Sequence, residues 1–88
     1  MKNIINRLKS EFPDKKINIT YNKEATCFLV SVDNATVHLS DAAVWVPIDL
    51  ILGGDDISLD EALTATFRLA VLTAAGLEVK INEQLNQN

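Results

Sequence analysis

Apolar positions near the N-terminus follow a helical period. They recur every three or four residues, at Ile4, Ile5, Leu8 and Phe12. Basic residues lie on the opposite side of a helical wheel, so the pattern predicts an amphipathic helix over residues 2–12. Pro13 ends this helix, because proline has no backbone N–H and disfavours helical geometry in the residue before it.

From residue 17 onward the period changes to two, which is typical of half-buried strands. The alternation over residues 17–22 predicts one strand, and residues 27–32 predict a second. Asp33 and Asn34 tolerate the positive φ of a tight turn, so a hairpin at this point sets the strand register. That register places three apolar pairs on one face of the sheet: Val32 with Ala35, Val30 with Val37, and Phe28 with Leu39.

Residues 40–54 fit two secondary structures. We favour a strand over residues 42–46, then a helical turn from Pro47 to the Gly53–Gly54 pair, since proline suits the first position of a helix and glycine its end. In the alternative, Ser40 caps one helix that places four apolar residues on a single stripe: Val44, Ile48, Ile51 and Leu52.

A second, longer helix has a well-marked start. Ser58 and Glu61 match a capping box, in which each side chain accepts a hydrogen bond from the backbone N–H of the other residue. The helix is predicted to run as far as Gly76, which breaks it, and the alternation over residues 77–81 predicts a last strand. Residues 83–88 are polar and are interpreted as a C-terminal tail.

These elements define the fold class. Residues 1–82 predict one α+β domain with an N-terminal helix, a three- to five-stranded mainly antiparallel sheet and one long apolar helix packed on it. The chain has 88 residues and a single cysteine, so it has no internal disulfide to offset its small size. Association with another chain is a common way to stabilise so small a domain.

Apolar and small side chains cover an unusually wide arc of the long helix. The arc is roughly 220°, against about 100° for an ordinary surface helix, and the polar strip that remains holds Glu61, Thr64 and Arg68. One face of a sheet cannot bury that much helix. We therefore expect a homodimer or partner contact through Ala65, Leu69 and Leu72. The alternative is that the first helix and residues 42–52 cover the whole arc within a monomer.

Charge is spread unevenly along a chain whose formal net charge is −4. The acidic residues of the second half concentrate around the start of the long helix, at Asp49, Asp55, Asp56, Asp60 and Glu61. Such a surface repels nucleic acid and attracts basic protein surfaces, so we expect a protein partner and no direct binding of nucleic acid. Trp45 is a further candidate contact, because large aromatic residues often anchor protein interfaces.

Candidate chemistry is sparse. In the hairpin register Cys27 lies diagonally across from His38, and a Cys–His pair can generate a nucleophilic thiolate. No oxyanion donor or orienting group can be named beside this pair, so we expect no enzyme and no cofactor. A single cysteine and a single histidine cannot form a typical zinc site within one chain, so we expect no metal. The residues after Asp56 lack the glycine and the bidentate glutamate of a calcium loop. With no signal peptide or membrane span predicted, a cytoplasmic location is expected.

The sequence therefore favours a small non-catalytic interaction module, of the inhibitor, adaptor or chaperone type, that works as a homodimer. The order helix, three strands and helix over about residues 2–75, with an acidic balance, resembles class I secretion chaperones. A second hypothesis is a nucleic-acid mimic, whose carboxylates replace phosphates before a basic groove of a target protein. A Cys27/His38-dependent enzyme is the third.

Overall fold

The protein folds into three helices and one three-stranded sheet in the computed structural model, which describes residues 2–54 and 58–86. In chain order the elements are α1 Lys2–Glu11, β1 Ile17–Asn22, β2 Cys27–Val32, β3 Ala35–Ser40, α2 Asp41–Gly54 and α3 Leu59–Asn86. The sheet is antiparallel with the order β1-β2-β3, and α3 packs on it. The predicted α+β class is confirmed.

The β2–β3 hairpin has the predicted register. Val32 pairs with Ala35, and Val30 with Val37. Asp33 takes the positive φ of the turn, at 53°, and its side-chain and backbone bonds with Lys16 join the turn to the start of β1. Alternation along the paired strands gives the sheet a buried inner face, which packs on the helices, and a solvent-exposed face on the other side. The period of two in the sequence therefore determines which residues pack on the helices.

The hydrophobic core lies between the inner face of the sheet and the helices. Its largest fully buried side chains are Phe67, Leu8, Ile48, Val30, Val32, Val44 and Val71. The ring of Phe28 meets that of Phe67 edge to face, with 5.2 Å between centroids, an arrangement favoured by the ring quadrupoles. The predicted stripe of α1 is confirmed, because Ile4 and Leu8 are buried in the core, with Ile5 and Phe12 packed beside them.

Residues 42–46 form no strand, which corrects the sequence interpretation in favour of its alternative. They belong to α2, whose start is capped by Ser40: its Oγ accepts the N–H of Ala43 at 3.2 Å. A helix is favoured over a strand here because Val44 and Ile48, one helical turn apart, can both enter the core. Pro47 lies inside α2 with an exposed side chain.

The predicted break at Gly76 and the predicted strand over residues 77–81 are wrong. The start of α3 is as predicted, since the Ser58 hydroxyl accepts the N–H of Glu61 at 3.2 Å, but the helix passes through Gly76 without positive φ. It also includes residues 83–86, which the sequence assigns to a tail. Glu78 explains the continuation: it is one turn from Ala74 on the core side, and its carboxylate accepts two bonds from Asn34 in the hairpin turn.

The sheet is too short to cover α3. A helix of 28 residues is about 42 Å long, whereas a strand of six residues spans about 20 Å. The Glu78–Asn34 contact marks the hairpin end of the sheet. Residues 79–86, named here the overhang, therefore extend past that end.

Candidate functional site

One side of α3 is apolar and uncovered. Its residues are spaced four, three, four and three positions apart: Ala65, Leu69, Leu72, Gly76 and Val79. We call this side the outer face. Leu69 is 67% exposed, Leu72 49% and Val79 54%, and Ala65 and Gly76 are exposed too. The three residues predicted for a dimer contact, Ala65, Leu69 and Leu72, are thus brought together on the surface, and none of the described side chains of α1 or α2 covers them.

An apolar groove opens beside the outer face. It encloses about 390 Å³ between β3, α2 and α3 and is lined by Val37, Leu39, Ala43, Pro47, Thr66, Ala70 and Thr73, together with Ala65 and Leu69 of the outer face. Val37 and Leu39 are only half-buried, since nothing among the described residues fills the space above them. Sequence reasoning missed this groove because it interpreted the α2 wall as a strand.

The C-terminal part of α3 carries a second exposed apolar stripe, which begins just before the overhang. Leu77, Ile81 and Leu85, spaced four residues apart, continue the core side of α3 beyond the sheet, and we call them the ridge. Their exposed fractions are 41%, 39% and 68%. The i, i+4 spacing was the available signal in the sequence, but residues 77–81 also alternate, and the alternation was interpreted as a strand.

Part of the polar strip of α3 lies against the rest of the chain, whereas Glu61 at its start is exposed. Thr64 is buried, and its hydroxyl donates to the backbone oxygen of Asp60 at 2.6 Å. Arg68 makes a bidentate ion pair with Glu11 of α1, with a shortest distance of 2.7 Å. Arg68 therefore joins two helices of the same chain, and the apolar outer face is left on the solvent side of α3.

The acidic candidates fall at the N-terminal end of α3 as far as the structure describes them. Asp60 and Glu61 lie in the first turn and are exposed, which suits the positive end of the helix dipole. Asp55, Asp56 and the side chain of Asp49 lie outside the described residues. Trp45 is on α2, 42% exposed, and it does not line the groove.

Cys27 and His38 lie on the solvent-exposed face of the sheet, away from the helices. Leu29 pairs with His38 and Cys27 with Ser40, so the two candidates are diagonal neighbours. His38 is exposed and Cys27 half-buried. The polar residues around them on this face are hydroxyls and amides, such as the Ser31–Thr36 pair at 3.0 Å. No group that would orient the imidazole is seen there among the described side chains.

A polar contact lies at the end of the sheet opposite the β2–β3 hairpin. The Tyr21 hydroxyl donates to Asp41 at the start of α2, at 2.9 Å. This bond to a carboxylate, helped by desolvation, raises the pKa of Tyr21 above its ordinary 10.0. Tyr21 also packs on Phe28 with 4.8 Å between ring centroids, so the contact fixes where α2 begins.

Within the described residues, no three His, Cys, Asp or Glu side chains come together as a metal site would require. The segment Leu59–Leu85 of α3 is long and apolar enough to cross a membrane by length and composition, with a mean hydropathy of 1.4 over its most apolar window and 44% of that window buried. The core helix of a soluble protein meets the same criterion.

Comparison with known proteins gave no match: no family model, no curated protein and no solved structure is significantly similar to this chain.

Proposed function

We propose that this protein is a non-catalytic interaction module that works as a homodimer and binds a protein partner. The observation that carries the proposal is the outer face of α3, where Leu69, Leu72 and Val79 are exposed on the side opposite the core. Exposed apolar surface costs free energy in water, and large patches of it mark interaction sites. The same helix buries Phe67, Val71 and Ala74 on its opposite side, so its apolar residues are not exposed merely for want of a core.

The outer face suits a protein partner by its shape and chemistry. It is the convex side of a helix with Leu69, Leu72 and Val79 exposed along it, and an apolar helix face of this kind fits an apolar groove of another protein. Asp60 and Glu61 lie exposed at one end of it, so a partner with basic residues at that end would gain complementary charge.

Affinity capture with matched variants tests the proposal. The wild-type chain, Leu72→Glu and His38→Glu are immobilised and exposed to an extract of the native host. Both substituted side chains are exposed, so both variants should fold, but only Leu72 belongs to the outer face. We expect a defined set of proteins retained by the wild type and by His38→Glu and lost from Leu72→Glu. Equal retention by all three, or none by the wild type, would contradict the proposal.

A salt series separates this function from the nucleic-acid mimic. An apolar contact keeps its partner as salt rises, whereas carboxylates that replace phosphates lose it steeply because their charges are screened. The double variant Asp60→Asn/Glu61→Gln extends the comparison. If it loses the partner while Leu72→Glu keeps it, the mimic is the better description.

The enzyme hypothesis is tested by Cys27→Ser, which we expect to keep full biological activity.

A further inference from the structure

Two apolar features are left uncovered by the residues that the structure describes, and they have opposite shapes. The groove is concave and lies beside residues 65–73 of α3, whereas the ridge is convex and lies on residues 77–85. A cavity of about 150 Å³ accommodates a benzene ring, so the groove, at about 390 Å³, has room for about two large apolar side chains of the ridge.

A copy of the chain cannot place its ridge in its own groove. Leu69 and Thr73 line the groove, and Leu77 and Ile81 form the ridge, but all four belong to the same continuous helix. Along that helix Leu69 and Ile81 are about 18 Å apart. A rigid helix cannot fold back over this distance, so a ridge of this chemistry must come from another molecule.

We propose that the groove binds the ridge of a second copy of this chain, and that the contact is reciprocal. This deepens the proposed function, on which it rests, by naming what forms the dimer. Each ridge enters the other copy's groove about a two-fold axis, so the two α3 helices run antiparallel. A two-fold contact closes at the dimer, whereas a one-way contact of the same surfaces would continue into a filament.

The spacing along α3 sets the position of this axis. Groove and ridge lie on either side of residue 75, so a two-fold axis near that residue brings residue 69 of one copy to residue 81 of the other. Gly76 belongs to the outer face, so the ridge-in-groove contact does not depend on it.

The molecular mass in solution provides the first test, by sedimentation velocity over a concentration series of the full chain. We expect a dimer for the wild type and at least about a tenfold weaker dimer for Ile81→Glu in the ridge and for Ala43→Glu in the groove, because each buries an unpaired charge. Val79→Glu, on the outer face of the same overhang, is the matched control and should stay dimeric. Circular dichroism confirms that each variant is folded.

Disulfide cross-linking provides the second test and reads the register. In a Cys27→Ser background, Ile81→Cys is mixed with Leu69→Cys and oxidised. We expect the mixed disulfide between the two variants to form much faster than either like-with-like disulfide, because the two-fold axis brings ridge residue 81 to groove residue 69 of the other copy. Preferential like-with-like cross-linking would overturn the antiparallel arrangement.

Three outcomes would overturn the inference. They are a monomer at every concentration, a dimer whose mass neither Ile81→Glu nor Ala43→Glu changes, and a monomer whose ridge binds phosphatidylcholine vesicles in a way that Ile81→Glu abolishes. The partner-binding part of the proposed function is read separately by capture with Leu72→Glu. A monomer that still captures its partner contradicts only the dimer, whereas a ridge-in-groove dimer that captures nothing contradicts only partner binding.

Discussion

The two sides of α3 have similar composition and opposite environments. The inner side places Leu63, Phe67, Ala70, Val71 and Ala74 against the sheet, and all five are buried. The outer side repeats apolar residues just as regularly but leaves Leu69, Leu72 and Val79 in solvent. The inner side is explained by the stability of the domain. The outer side contributes little to that stability, so its apolar sequence requires another explanation, for which we propose binding to other proteins.

The difference shows that a wide apolar arc on a helix predicts an exposed apolar surface, but it does not identify the partner that binds there. A monomer-only explanation predicts that both sides of α3 matter for folding. An interaction module predicts that the inner side controls unfolding and that the outer side controls binding of the protein partner. Substitutions on the two sides separate these explanations.

The largest effect is expected at the centre of the inner side. Phe67→Ala removes a fully buried ring that meets Phe28, so we expect the free energy of unfolding to fall by about 3–5 kcal/mol. Leu72→Ala is the matched change on the outer side and should cost less than about 1 kcal/mol. Urea unfolding in the Ile81→Glu background keeps association out of both values. Equal losses would contradict the comparison.

A smaller effect is expected where the inner side meets the hairpin turn. Glu78→Ala removes the acceptor of the Asn34 backbone N–H, at 3.1 Å, and of its side-chain amide. We expect a loss of about 1–2 kcal/mol, because a charged acceptor in a part-buried site is worth more than a neutral one. Hydrogen exchange should show faster exchange at Asn34.

Lys80→Ala is the control for Glu78→Ala, since Lys80 is exposed on the same turn of the helix. It should change the unfolding free energy by less than about 0.5 kcal/mol. If Glu78→Ala has no larger effect than this, the hairpin contact does not hold α3 in place.

These contacts also show where the sequence could predict the fold and where it could not. The hairpin followed from alternation and a two-residue turn, because its partners are adjacent in the chain. The length of α3 did not, because Glu78 is held by Asn34, which is far away in sequence. Local rules assign a helix end to Gly76 and a strand to the alternation after it, whereas a long-range contact continues the helix.

The candidate site divides in the same way. The exposure of Ala65, Leu69 and Leu72 could be predicted, since one sheet face is too narrow for the apolar arc. The groove could not, because it depends on α2 being a helix with Ala43 and Pro47 on the side towards α3. The ridge was not predicted either, because residues 77–81 also fit the period of two of a strand and not only the period of 3.6 of a helix.

A stabilising effect is expected on the outer side. Gly76→Ala should raise the free energy of unfolding of the monomer by about 0.5–1 kcal/mol, because alanine favours a helix and its methyl group meets open space. The measurement is urea unfolding in the monomeric Ile81→Glu background. A loss of stability instead would show that the folded monomer requires glycine at residue 76.

The smallest expected effect is a dependence of the stability on pH, which arises from Tyr21 at the end of the sheet. Its pKa is raised above 10.0 in the folded state by the bond to Asp41, so folding favours the protonated hydroxyl. This stabilisation is complete below pH 10 and is lost as pH rises from there through the raised pKa. Thermal unfolding between pH 8 and 11 should therefore show a steeper loss of stability for the wild type than for Tyr21→Phe, which keeps the ring packed on Phe28 but has no proton to lose. Parallel curves for the two proteins would show that Asp41 does not hold the hydroxyl in solution, and that the start of α2 is fixed by the Ser40 cap and the core residues Val44 and Ile48.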